Sequence, residues 1–133
     1  MTPSHFRELD VWQKSMDLAA SVYSLTSAFP RDERFGLSSQ MQRSAVSIPS
    51  NIAEGNARAT TRDYARFVSQ ACGSAAELQT QPLLSKALGF AIEPDISEAL
   101  ERCETVSKML RRLHQALIEK LEPRSLVPGP RSR

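Results

Sequence analysis

Apolar residues recur at steps of three and four along most of this chain, the period of helices that bury one face. From Asp10 to Phe29 that period lays down two stripes at once. Leu9, Trp12, Met16, Ala19, Ala20 and Tyr23 form one, and Val11, Leu18, Val22, Leu25 and Phe29 form the other. A helix apolar on two sides carries more hydrophobic surface than one face of a bundle covers. Either one stripe serves the subunit core while the other meets a second partner, or the helix lies at the centre of a compact monomer.

The stretch FPRDERFG at 29–36 breaks the pattern with a proline and a charged turn. A second helix is predicted from Leu37, with Leu37, Met41, Ala45, Ile48 and Ile52 as its core stripe. Phe35, Val46, Ala53 and Ala57 make a smaller apolar shelf. Pro49 lies inside this helix, where it removes one backbone donor, crowds the carbonyl of Ala45 and predicts a bend. On another face lie Gln40, Ser44, Ser47, Asn51, Glu54 and Arg58, with Glu54 and Arg58 one turn apart. That face is either solvated or a hydrogen-bonded seam with another helix or subunit, and Gly55 fits a close contact or a helix ending.

Thr60 or Thr61 supplies an N-cap for a third helix, and Asp63 complements its dipole. Tyr64, Phe67, Val68, Ala71, Ala75 and Leu78 form its core stripe, and Gly73 in ACGSAAE permits a close neighbour. Pro82 is expected to interrupt this helix late, and Gly89 to end it. The fourth helix, from about Asp95 to Leu121, has the cleanest heptad, through Ile96, Ala99, Leu100, Cys103, Val106, Leu110, Leu113 and Leu117. Its acids precede its cations, as the helix dipole favours.

Four amphipathic helices joined by short connections predict an all-α, up-down-up-down four-helix bundle over residues 1–121. Residues 122–133, rich in proline and without a core pattern, are expected to form a flexible tail. A chain of 133 residues with 41% hydrophobic and 24% charged side chains fits one domain, and 6% aromatics with five glycines lean away from sheet. No apolar run reaches membrane-spanning length and the N-terminus lacks an apolar signal core, so no membrane partner and a cytoplasmic location are expected. Cys72 and Cys103 fall in apolar patterns as small buried side chains. The two histidines, His5 and His114, are too few for a metal cage. With no phosphate loop, nucleophile elbow or HExxH helix either, the expectation is no enzyme, no catalytic residue, no metal and no cofactor.

Charge changes the picture once it is placed on the bundle. The half holding the start of helices 1 and 3 and the end of helices 2 and 4 collects ten cations against seven acids. The other half holds five cations against eight acids, so a net charge of only +2, tail arginines included, conceals a polar molecule. Arg58, Arg62, Arg66, Lys108, Arg111 and Arg112 are the candidate nucleic-acid-binding residues. Without stacking aromatics on that face, contact is expected with phosphates and shape rather than base edges.

The stretches LDVWQKSMDLAASVYSLTSAFPRDERFGLSSQMQRSAVSIPSNIAEGNAR and FVSQACGSAAELQTQ, with the later LGF, resemble the four-helix-bundle proteins encoded in intervening sequences of bacterial 23S rRNA genes. The accessory variability determinants of diversity-generating retroelements are similar to that family. The resemblance runs from about Leu9 to Phe90 and implies a homopentameric barrel of bundles with basic surfaces. It also implies nucleic acid, RNA or DNA, and a reverse transcriptase or other protein as partners. Asn51, Glu54 and Gly55 match the family's SIPxNIAEG signature, where it implies a subunit seam. Val11, Leu18 and Val22 are the expected interface stripe of helix 1. Pro82 replaces the family's usual aliphatic residue. A non-enzymatic nucleic-acid-binding accessory protein is therefore expected, the alternative being an oligomeric protein adaptor.

Overall fold

The computed structural model describes residues 5–122. The expected tail lies outside the described residues apart from Glu122. Four antiparallel helices, α1 (Asp10–Thr26), α2 (Leu37–Asn56), α3 (Thr61–Ala87) and α4 (Glu93–Leu121), form the bundle. No helix among the described residues is long and apolar enough to cross a membrane.

Local chemistry sets the boundaries. α1 stops at Thr26, short of Phe29, where Thr26 Oγ1 donates to Tyr23 O and Ser27 Oγ to Ser24 O just before Pro30. A 3-10 turn over Arg31–Phe35 follows, and the Leu37 N–H donates to Glu33 Oε1 at 3.0 Å, so an acid from the turn caps α2. Thr60 caps α3 by accepting from the Asp63 N–H at 3.1 Å. At the far end Gly89 takes φ of 77°, the Phe90 N–H bonds Ser85 O and the Gly89 N–H bonds Lys86 O. This pair of bonds is the Schellman ending that glycine makes accessible. Pro94 fits the first turn of α4, where no backbone donor is needed.

Both internal prolines sit within unbroken helices. α2 runs through a buried Pro49, and α3 runs through a buried Pro82 to Ala87. The expected interruption at Pro82 is thus corrected. Leu78, Pro82 and Ser85 all face the interior, and Ser85 Oγ donates to Pro82 O at 2.7 Å. Packing on that face offsets the missing donor, whose cost in an interior position is about 3 kcal/mol.

The core runs the length of the bundle through Leu18, Val22, Met41, Ile48, Ile52, Val68, Leu78, Val106 and Leu110, all essentially without solvent exposure. Helix 1 reverses one expectation. Val11, Leu18 and Val22 belong to this core and cannot form a subunit interface. The stripe left outside contains Met16 and Tyr23, at 45% and 48% exposure, with Trp12 and Ala19 partly buried. Gln42 Nε2 donates to Thr26 Oγ1, and this register brings Tyr23 level with Val46 and Met16 level with Ala53. The stripe therefore lies along the seam of α1 and α2.

The seams differ in kind. Four side-chain hydrogen bonds cross between α2 and α3: Ser44 to Glu77, Gln81 to Ser44, Ser74 to Ser47 and Asn56 to Tyr64. None crosses between α1 and α4 among the described residues. A groove of about 590 Å³ opens there, floored by Ala20, Ser21, Ser24 and Ala99 and edged by Asp17, Asp95 and Glu98.

Candidate nucleic-acid interface

Phe67 organises the basic half. It is buried, yet the guanidinium carbons of Arg58 and Arg66 lie 4.8 and 4.7 Å from its ring centroid. Arg66 precedes it on α3, while Arg58 arrives from the end of α2. The ring reaches this position because Gly55 lets the helices close up. A Cβ on Gly55 would stand 2.8 Å from Phe67 Cβ and 3.0 Å from Tyr64 Cδ1. Two arginines, one following α2 and one on α3, are thereby held against one aromatic ring, an attraction of about 0.5–1 kcal/mol each at an exposed site.

This geometry reassigns the signature stretch. Gly55 makes an intrachain contact between α2 and α3, not a subunit seam. Asn51 Nδ2 donates to Ser47 O at 2.8 Å and Ser47 Oγ at 2.9 Å, and Ser74 Oγ on α3 also donates to Ser47 Oγ. The polar face of α2 is thus a seam with another helix of the same chain. Glu54 is exposed and pairs with Arg58 at 3.2 Å.

Ion pairs divide the six candidate cations. Arg58 pairs with Glu54, Arg66 with Asp63 at 3.7 Å and Lys108 with Glu104 at 3.8 Å. Arg62, Arg111 and Arg112 have no such partner among the described residues. Being solvent-exposed, the three pairs contribute little stability and leave their cations open to exchange for phosphate.

The two clusters share one half of the bundle and overlap along its axis. Cys103 Sγ donates to Ala75 O, and this antiparallel register sets Lys108, Arg111 and Arg112 level with about Gln70, Phe67 and Arg66 on α3. Arg62 sits four residues before Arg66, about 6 Å further along the axis at 1.5 Å per residue. The cations therefore form a track. Lys108, Arg111, Arg112 and Gln115 line a shallow depression on α4. On α3 Gly73 has open space where its side chain would be.

Neither thiol adds chemistry to this track. Burial pushes Cys72 above its ordinary pKa, with Arg111 pulling weakly the other way, and burial with Glu104 beside it pushes Cys103 up to about 12. Both favour the protonated, unreactive form. Phe67 and Gln115 escape sequence reasoning. The adjacency of Arg66 and Phe67 is the one local signal, and Arg58 comes to the ring only through the fold.

Comparison with known proteins gives the same architecture. A crystal structure of a protein of unknown function from the S23 ribosomal protein family of Bacteroides thetaiotaomicron superposes with a TM-score of 0.71. The two chains are 20% identical, and the match covers 79% of this chain and 98% of that one. Among curated proteins none matches. The model of the family described as 23S rRNA-intervening sequence protein matches residues 7–112, most of the chain. With the bundle, its signature stretch and that match in agreement, the chain belongs to the 23S rRNA-intervening sequence protein family.

Proposed function

We propose that this protein is a non-enzymatic, oligomeric accessory protein that binds RNA or DNA phosphates through the basic half of its bundle. The observation that carries the reading is the cationic track along α3 and α4. Three of its members lack an ion-pair partner among the described residues, and Phe67 holds two others in place. Guanidinium groups positioned in advance lose less freedom on meeting a phosphate, and they read its charge rather than base sequence. The family's link to a 23S rRNA intervening sequence makes RNA the first ligand to try.

Self-association supports avidity. The apolar stripe of Met16, Tyr23 and Val46 along the α1–α2 seam suits contact with further copies, a ring of five being the expected assembly. Repeating a weak track around such a ring multiplies phosphate contacts without any new chemistry. Titration of labelled structured RNA and duplex DNA at two salt concentrations tests the proposal. Binding should show little sequence preference and fall steeply with salt. Replacing Arg62, Arg66, Arg111 and Arg112 together by Gln should lower the log–log salt slope by about 0.7–0.9 for each phosphate no longer neutralised, with oligomer size unchanged. Absence of binding at low salt, or binding untouched by the substitutions, would favour the protein-adaptor reading.

A further inference from the structure

The end of the bundle opposite the cationic track carries five large apolar side chains in solvent: Leu83, Leu84, Leu88, Ile92 and Phe35, the last two 65% and 85% exposed. Leu84 lies in the last turn of α3 and Leu88 one turn on at its C-cap, and Ile92 follows at the N-cap of α4. The pairing of Ser44 with Glu77 fixes an antiparallel register that brings the turn holding Phe35 level with Leu88. Underneath, the rings of Phe29 and Phe90 meet at 5.5 Å and close the core. The outer apolar residues are therefore not needed to seal the bundle, and side chains of this size exposed at one end mark a contact surface.

Charge selects the occupant. Glu93, Asp95 and Glu98 open α4 beside the patch, with Lys86 pairing Glu93 at 3.1 Å and Arg102 pairing Glu98 at 3.0 Å. Asp95 has no ion-pair partner among the described residues, and this half of the bundle has five cations against eight acids. A second copy fits poorly end to end. Two such ends would set acids against acids, and no large apolar side chain is exposed on the described part of the cationic track.

We propose that this end docks an amphipathic helix of another protein, apolar along one stripe and basic on its flanks. Leu84, Leu88 and Ile92 form the ridge against which apolar anchors at i, i+3 or i+4 and i+7 pack, and the acids beside them favour Lys or Arg on either side. Arg62 and Leu88 are 26 positions apart in sequence, about 39 Å along the bundle at 1.5 Å per residue. Phosphates and the helix would thus be held at the same time without competing.

The test uses the full chain and two fluorescent peptides of about five helical turns. One has leucines at helical spacing with lysine elsewhere, and the other has glutamate in place of lysine. The basic peptide should bind and the acidic one should not. Leu88→Gln with Ile92→Gln should weaken the basic peptide at least tenfold, on the order of a hot-spot loss. RNA affinity and melting temperature should not move, since both residues are exposed. Tyr23→Gln, on the other apolar surface, should leave peptide binding intact. Equal binding of both peptides, or no effect of the double substitution, would overturn the proposal. A change in oligomer mass on making it would do so too, by giving the patch to a second copy.

Discussion

Two glycines on facing stretches of α2 and α3 should respond to the same substitution with opposite signs. Gly55→Ala places a methyl group 2.8 Å from Phe67 Cβ and 3.3 Å from the Tyr64 carbonyl oxygen. Neither atom is the loose end of a side chain, so α3 itself must give way. Overpacking of this kind costs about 1–3 kcal/mol, while replacing a helical glycine by alanine gains about 1 kcal/mol. The net expectation is a loss of about 0–2 kcal/mol, or a melting temperature lower by up to about 8 °C for a domain of this size. Gly73→Ala meets nothing within 4 Å, so the propensity gain stands alone at about 0.5–1 kcal/mol. Urea unfolding followed by circular dichroism at one fixed protein concentration measures both, with an unchanged slope showing that the transition has kept its character. A Gly55→Ala protein as stabilised as Gly73→Ala would refute the close-approach argument, and a destabilised Gly73→Ala protein would refute the open-space argument.

Other expectations follow from single interactions. Phe67→Leu should release both arginines, weakening RNA binding several-fold at low salt while helicity is retained; filter binding with far-UV dichroism checks this, and unchanged affinity would remove the ring from the site. Asn51→Leu should cost about 1 kcal/mol through the missing bonds to Ser47 without altering oligomer mass, read by thermal melting and light scattering; a changed mass would return Asn51 to a subunit seam. Cys103 has its pKa raised from 9.0 to about 12, so its contribution is intact below pH 9 and is lost as pH rises towards 12, because the unfolded chain releases that proton first. Urea midpoints at pH 7.5 and 10.5 should therefore fall less in Cys103→Ala than in the parent.

Much of the architecture is legible in the sequence because several levels agree. The heptad of α4, the Thr60 cap and the Gly89 ending each depend on residues within a turn or two of one another. Helix 1 reads less well because hydrophobicity alone does not rank two apolar stripes. The buried one is all aliphatic at Val11, Leu18 and Val22, whereas Tyr23 carries a hydroxyl that favours the wet side, a clue that periodicity does not weigh. Pro82 misleads for the opposite reason, since its cost is local and its compensation lies in the packing of the whole face. The cations of the candidate site are visible as residue types. Their sorting into paired and unpaired, and the convergence of Arg58 and Arg66 on Phe67, depend on contacts between helices that spacing cannot report.

The contrast between the two seams of α1 and α4 and of α2 and α3 has a consequence for motion. Hydrogen bonds from Ser44, Ser74, Gln81 and Asn56 tie α2 to α3, while the α1–α4 side is a groove lined by Asp17, Asp95, Glu98 and Arg102 with no side-chain bond across it among the described residues. Opening of the bundle should therefore begin as a swing of α1 away from α4, with α2 and α3 persisting as one cooperative unit. Backbone amides of α1 should exchange with solvent deuterium before those of the α2–α3 pair. Phe67 sits inside that slower unit, so the arginines resting on it keep their places while the opposite seam breathes.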